Sequence, residues 1–487
     1  MLARRTFLKS AAAAGAASAL GSGRLAAADT RPNVILICCD TWRADWLGCY
    51  GNQQIKTPAI DALAAKSSVF LEAYAEALPT VPARRVIYTG RRGFPAQSLQ
   101  QTDSPSIRGW HPLYVEDVTL AESMRNAGYT TALIADLLHI FKPGFNFHRG
   151  FMSWRWIRGQ EGDNLETGPT KNVDVTRFLH RTQPLTGGDA RMIRQYAINR
   201  QFWKTEDDYP HPRTFAEAGR WLENNVSDSQ PFFLQIETFS PHEMWDPPED
   251  YYRLYMKGDY NGPRLVQPPS FTNVLTPLEV EHIRALYAGM VTFTDAHIGK
   301  FLAKVEALGL MSNTVIVFYA DHGCLMGEQG RLRKEEAELR TQVTRVPLMI
   351  YNGYEAWQPR RVDGYVQHSD IMPTVLDLIG SQVPSRVTGE SISAAARFGE
   401  AMRREWIVTG WGNHGTIRSQ EWLYQGRWNP GEAFEELYDV RKDPNELVDV
   451  AAMHPDLVRD YRKRLTEYAD AGWEITKGTF TKVLSNP

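Results

Sequence analysis

Residues Asn33 to Cys39 form an almost unbroken apolar run that stops at Asp40. Such a run marks a strand buried on both faces, as the inner strands of a parallel sheet are. Short runs of the same kind recur at Thr130 to Ala135, Pro231 to Glu237, Thr314 to Tyr319 and Val346 to Tyr351. Between them the apolar spacing becomes helical, over Thr119 to Ala127 and over the long stretch Leu278 to Leu308. In the latter, Ile283, Leu286, Tyr287 and Met290 share a face and Gly309 supplies the stop. Strands alternating with helices predict an α/β fold with a large, mostly parallel sheet sandwiched by helices.

The texture changes near Ser391. Short strand-like pieces (Glu405 to Thr409, Gly415 to Arg418, Trp422 to Arg427, Glu436 to Val440) precede a helical stretch from Pro455 to Tyr468. These predict a smaller C-terminal unit over 391–487, an antiparallel sheet packed by one helix, following a main domain over 31–390. Residues 150–208 are rich in Trp, Arg, Gly and Asp with weak periodicity, and read as an insertion near the mouth of a site.

Ahead of the first strand, Arg4-Arg5 followed by an alanine-rich run and Ala26-Ala27-Ala28 fits a twin-arginine export signal over 1–28. That predicts handling by the twin-arginine export machinery and a periplasmic or secreted protein. No later apolar run is long enough to span a bilayer, so no stable membrane span is expected. With 54 Lys and Arg against 57 Asp and Glu, the chain has a net charge of -3 and no basic stripe to hold a phosphate backbone, which argues against nucleic acid. Four cysteines among 487 residues are too few for a disulfide framework and lack zinc spacing; they read as apolar fillers.

In parallel sheets ligands collect at the carboxyl ends of strands. Asp40, Asp321 and His322 stand there, two carboxylates and an imidazole able to bind one divalent cation; the competing reading pairs Asp321 with an arginine and leaves His322 exposed. Thr80 precedes Pro82, a residue suited to the first turn of a helix, so Thr80 either caps that helix or offers its hydroxyl beside an anion-binding helix end. Arg84 lies one turn further on.

These segments, taken in order, resemble the sulfatase family of the alkaline phosphatase superfamily. The similarity runs through Arg31-Pro32-Asn33, Asp40-Thr41-Trp42-Arg43, Thr80-Val81-Pro82-Ala83-Arg84, Ser240-Pro241-His242, Asp321-His322-Gly323 and Leu437-Tyr438-Asp439. The resemblance implies an ester hydrolase with one divalent metal ion (calcium, magnesium, manganese or zinc) held by Asp40, Thr80, Asp321 and His322. It implies catalytic roles for Thr80, Arg84, His242 as general acid and Lys334, although the charge run Arg331 to Arg340 also fits a solvated helix face. The substrate implied is a small-molecule or carbohydrate ester.

The departures are chemical. Thr80 stands where sulfatases carry the cysteine or serine oxidised to formylglycine, and its β-methyl would let oxidation reach only a ketone. Cys39 replaces a second acid, and His322 an asparagine. Ala135-Asp136-Leu137-Leu138-His139 replaces the segment that usually carries a lysine. Asp136 and His139 are candidates for binding substrate or a second cation, or are satisfied core residues. Together these point to a phosphate or phosphonate ester and a Thr80 nucleophile. The alternatives are a sulfuric ester hydrolase using metal-bound water and a non-catalytic periplasmic binding protein.

Overall fold

The computed structural model describes residues 31–98, 107–169, 173–226, 230–429 and 434–480. The export signal expected over 1–28 lies outside them.

In chain order the strands of the main sheet are β1 (Asn33–Cys39), β2 (Ser68–Tyr74), β3 (Thr130–Ala135), β4 (Ser153–Trp156), β5 (Phe232–Thr238), β6 (Thr314–Ala320), β7 (Leu348–Asn352) and β8 (Arg360–Gln367). Their spatial order is β8-β2-β7-β6-β1-β5-β3-β4. All pairings are parallel except those of β7, which runs against β2 and β6. Every residue of β1, β5 and β6 is buried, which is why these strands read as continuous apolar runs. Strand β4 at one edge, β8 at the other, and β2 with its Glu72 carry charged or exposed positions. They escape the rule that finds the inner strands.

Two groups of helices enclose this sheet. One holds α1 (Pro58–Ala64), with α2 (Thr80–Thr89) and α3 (Leu120–Asn126) belonging to the other; α4 (Gly188–Arg200) lies in the 150–208 segment. Helices α5 (Pro210–Asn225), α6 (Glu249–Arg253) and α7 (Pro277–Ala307) pack with α1, and α8 (Ile371–Leu378) with α2 and α3. Helix α7 starts on a capping box between Thr276 and Glu279 with Pro277 in its first turn. Gly309 follows its end at φ +72°, the left-handed conformation that suits a helix stop.

The C-terminal unit is an antiparallel meander, β9 (Trp406–Trp411), β10 (His414–Ser419), β11 (Trp422–Arg427) and β12 (Glu435–Asp439), covered by the helix α9 (Pro455–Thr476). The short helix Ser393–Phe398 packs instead on the main sheet, where Ser68 donates to the carbonyl of Ala396 at 2.6 Å. Phe94 of the main domain plugs the small sheet above the paired glycines Gly410 and Gly415. A side chain at Gly410 would meet the Phe94 ring at 1.9 Å. Strand β9 also bonds the segment entering α2: Gly410 N–H donates to Glu76 O at 2.8 Å, and Gly410 O accepts from Leu78 N–H at 2.9 Å. The small unit thus braces the approach to Thr80.

Among the described residues no helix is long and apolar enough to cross a membrane. The four cysteines are free, and all but Cys49 are buried, in keeping with their reading as fillers.

Candidate metal and ester-binding site

Parallel strands deliver their carboxyl ends to one edge, and there β1, β6 and β5 place Asp40, Asp321 and Glu237 together. Asp40, Asp321, His322 and Arg84 have no exposed surface. Arg84 lies among three carboxylates: Nη1 donates to Asp40 Oδ2 at 3.0 Å and to Asp321 Oδ2, while Nε donates to Glu237 Oε2 at 3.1 Å. Three acids against one guanidinium leave the centre short of positive charge, and burial makes that imbalance expensive.

The acids are aimed by neighbours. Asp321 Oδ1 accepts the backbone N–H groups of Thr41 at 2.9 Å and His322 at 2.8 Å, leaving Oδ2 to face the centre. Thr41 Oγ1 donates to Asp40 Oδ1 at 2.7 Å. To do both, Thr41 sits at φ +62°, a conformation unfavourable for a β-branched residue. His322 Nδ1 donates to the carbonyl of Gly323 at 3.0 Å, which fixes the tautomer and leaves Nε2 as a lone pair. That Nε2 is buried without a hydrogen-bond partner, 3.4 Å from Asp321 Oδ2 and 3.8 Å from Asp40 Oδ1. Burial, reinforced by the Lys334 ammonium, holds His322 well below the usual imidazole pKa, so the ring is neutral. One ligand atom from each of Asp40, Asp321 and His322 lies within 4.8 Å of the others. Two carboxylates and an orphaned imidazole nitrogen fit a divalent cation. The structure contains the arginine partner of Asp321 that the competing reading required, but His322 is buried, contrary to that reading.

Thr80 is the first residue of α2, and no side chain caps that helix; Thr80 itself is therefore not the cap. Its carbonyl is 3.3 Å from the same Arg84 Nη1 that reaches Asp40. The first helical N–H in use is that of Ala83, donating to Pro79 O at 3.0 Å. Arg84 Nη1 thus links the first residue of α2 to the buried acids Asp40 and Asp321.

His242 and Lys334 complete one side. Lys334 Nζ is 2.7 Å from His242 Nε2, and His242 Nδ1 donates to Glu243 O at 2.8 Å with Glu243 Oε2 at 3.0 Å. The ring stacks on Phe239 at 4.0 Å. Burial and the Lys334 ammonium pull the His242 pKa down, but the Glu243 carboxylate outweighs them and leaves it above the usual imidazole value. The charge run around Lys334 is no helix: it follows a two-residue strand, Leu332–Arg333. Its arginines pair with acids, Arg331 with Glu338, Arg333 with Glu243 and Arg340 with Glu436.

Asp136 and His139 stand apart from the cation ligands. Asp136 accepts from Phe239 N–H at 2.6 Å, Thr238 Oγ1 at 3.1 Å and Thr214 Oγ1 at 3.2 Å, tying β3 to β5 and α5. Burial pushes its pKa up to about 7 against those hydrogen bonds. His139 Nε2 is 3.4 Å from Glu161 Oε2 and the ring packs edge-on against Trp110. Gln160 and Glu161, from the 150–208 segment, line the same small cavity as Asp136, His242 and Glu243.

Sequence reading missed Thr41, Glu237 and Glu243. Glu237 was the most accessible of these: a carboxylate inside a fully buried strand requires a counter-charge. The left-handed conformation of Thr41 leaves no trace in composition or period.

A family model described as Sulfatase matches residues 32–381. The chain is 25% identical over 459 residues to an arylsulfatase of Clostridium perfringens, covering 86% of this chain and 90% of that one. It is 23% identical over 422 residues to a multifunctional alkaline phosphatase superfamily protein of Trinickia caryophylli, covering 74% of this chain and 76% of that one. Among solved structures, a phosphonate monoester hydrolase of Agrobacterium radiobacter matches with a TM-score of 0.68 at 22% identity, covering 91% of this chain and 95% of that one. The chain belongs to the sulfatase family and is a hydrolase acting on ester bonds.

Proposed function

We propose that the protein cleaves phosphate or phosphonate esters with the Thr80 hydroxyl as nucleophile. The observation that carries this reading is Thr80 at the start of an uncapped helix whose next turn places Arg84 on the two acids of the cation site. Thr80 Oγ attacks phosphorus while Arg84 stabilises charge on the transferred group, and the bond to the departing alcohol breaks. His242 protonates that alcohol, with Lys334 recharging its Nε2. Water then attacks the phosphothreonine, freeing the product and restoring the hydroxyl. Asp40, Asp321, His322 and Thr80 would hold a divalent cation, which would supply positive charge that favours ionisation of the hydroxyl, its proton passing to solvent. Asp136 and His139 support the substrate side of the same cavity, with the 150–208 segment at its rim. Residues 1–28 direct export through the twin-arginine machinery to the periplasm or beyond.

The names of the arylsulfatase relatives favour a second reading, a sulfuric ester hydrolase in which Thr80 is only a ligand. Parallel assays on aryl sulfate, phosphate and phosphonate esters discriminate. The proposal expects the phosphorus esters to be turned over with kcat/KM at least about tenfold above the sulfate; preference for the sulfate ester overturns it.

A further inference from the structure

A second set of metal-ligand side chains stands where the turn before α5 meets α7. Glu206 and Asp207 open the short helical turn Glu206–Asp208. His297, on α7, is only 3% exposed and faces them. Its Nε2 is buried, has no hydrogen-bond partner and lies 3.7 Å from Glu206 Oε1. One ligand atom from each of Glu206, Asp207 and His297 lies within 4.8 Å of the others. None of the three belongs to the reaction centre.

The imidazole separates this cluster from an ordinary acidic surface patch. At 3.7 Å the nearest Glu206 oxygen is too far to hydrogen-bond His297 Nε2, so the carboxylate does not satisfy the ring. A ring nitrogen buried without a hydrogen-bond partner is costly, and a cation bound between it and the two carboxylates would satisfy it. Two carboxylates with a neutral imidazole form a donor set for zinc or a similar divalent transition ion. Tyr251 donates its hydroxyl to Glu206 Oε2 at 3.3 Å, the kind of outer contact that orients a ligating carboxylate.

We propose that Glu206, Asp207 and His297 form a second divalent-cation site, structural in role, that pins the turn before α5 to α7. Lys300 is the competitor. Its ammonium stands 2.9 Å from Glu206 Oε1 and 3.7 Å from Asp207 Oδ1, yet it leaves His297 Nε2 unpaired. Its side chain is 57% exposed and is free to swing into solvent when an ion enters.

The test is equilibrium dialysis of the full-length protein against zinc ion alone, with elemental analysis. His297→Gln combined with Glu206→Gln should bind one zinc fewer per chain than the unmodified protein while hydrolysing esters within about twofold of its rate. Lys300→Met should bind that same zinc about tenfold or more tightly, a gain that a damaged fold cannot produce. Equal zinc content in the unmodified and doubly substituted proteins, whatever the count at Asp40 and Asp321, overturns the proposal. So does an affinity indifferent to Lys300→Met, which would mark adventitious surface binding only.

Discussion

Asp40 and Asp136 occupy equivalent positions, each the first residue past a buried parallel strand, β1 and β3, on either side of β5. Their surroundings differ in kind. Asp40 meets a guanidinium at 3.0 Å, a hydroxyl at 2.7 Å and an imidazole nitrogen at 3.8 Å that nothing else satisfies. Asp136 meets one backbone N–H and two hydroxyls. Neutral donors complete Asp136, whereas the charges and the open lone pair around Asp40 call for a ligand. A strand-end position thus nominates an acid, and the character of its partners decides whether it does chemistry or holds the sheet together.

The largest effects are expected on the Asp40 side. Thr80→Ala and Asp321→Asn should each lower kcat by about a thousandfold or more, with far-UV circular dichroism unchanged. Asp136→Asn should stay within about tenfold of the parent. A loss as deep in Asp136→Asn as in Asp321→Asn would erase the distinction. Chelation of divalent ions should likewise silence the protein, and replacement of the ion should restore it.

Glu237→Gln comes next. It leaves Arg84 Nε facing a weaker acceptor and should cost on the order of 2 kcal/mol in denaturant unfolding. A tenfold loss of kcat/KM should accompany it, because the guanidinium loses the anchor that fixes it against Asp40 and Asp321. Unchanged stability and rate would mean that Asp40 and Asp321 alone hold the arginine.

His242→Ala should separate substrates by leaving group. Esters of alkyl alcohols should slow about a hundredfold and nitrophenyl esters little, since a good leaving group needs no proton. In the parent, activity on alkyl esters should fall as pH rises through a value above the usual imidazole pKa, because the acid must be protonated and Glu243 holds it so. A variant that keeps this alkaline limb removes His242 as the acid.

The effect smallest in rate is read in stability instead. The folded-state pKa of Asp136 is raised to about 7, so the native state binds more protons than the unfolded chain between the ordinary carboxylate range and about pH 7. Its contribution to stability is therefore full at low pH and lost as pH rises through about 7. Asp136→Asn removes this loss. Relative to the parent, the variant should gain on the order of 3 kcal/mol between pH 4 and 8 by urea unfolding. A difference independent of pH would show that Asp136 is ionised throughout.

The inner strands were legible because burial on both faces gives continuous apolar runs, and β1, β3, β5 and β6 lie within a residue of their predicted limits. The C-terminal meander was legible from its succession of short strand-like pieces. Helix α4 was not, because Asp189, Arg191, Arg194 and Arg200 interrupt its apolar face and only a narrow stripe around Ile193 and Tyr196 is buried. At the site, the meeting of Asp40, Asp321 and His322 was readable from strand ends and motif order. Glu237, Thr41 and the Lys334–His242 contact depend on pairings between distant segments, which periodicity along one segment does not encode.

The central claim is that Thr80 forms a covalent bond with the transferred group. Rapid acid quench during turnover of an aryl phosphate ester, followed by peptide mass spectrometry, reads this directly. The account predicts phosphate on the Thr80-bearing peptide, appearing in the burst and absent from a control with Asp321→Asn. A fully active enzyme whose Thr80 stays unmodified at every quench time, with Thr80→Ala still turning over, would contradict it.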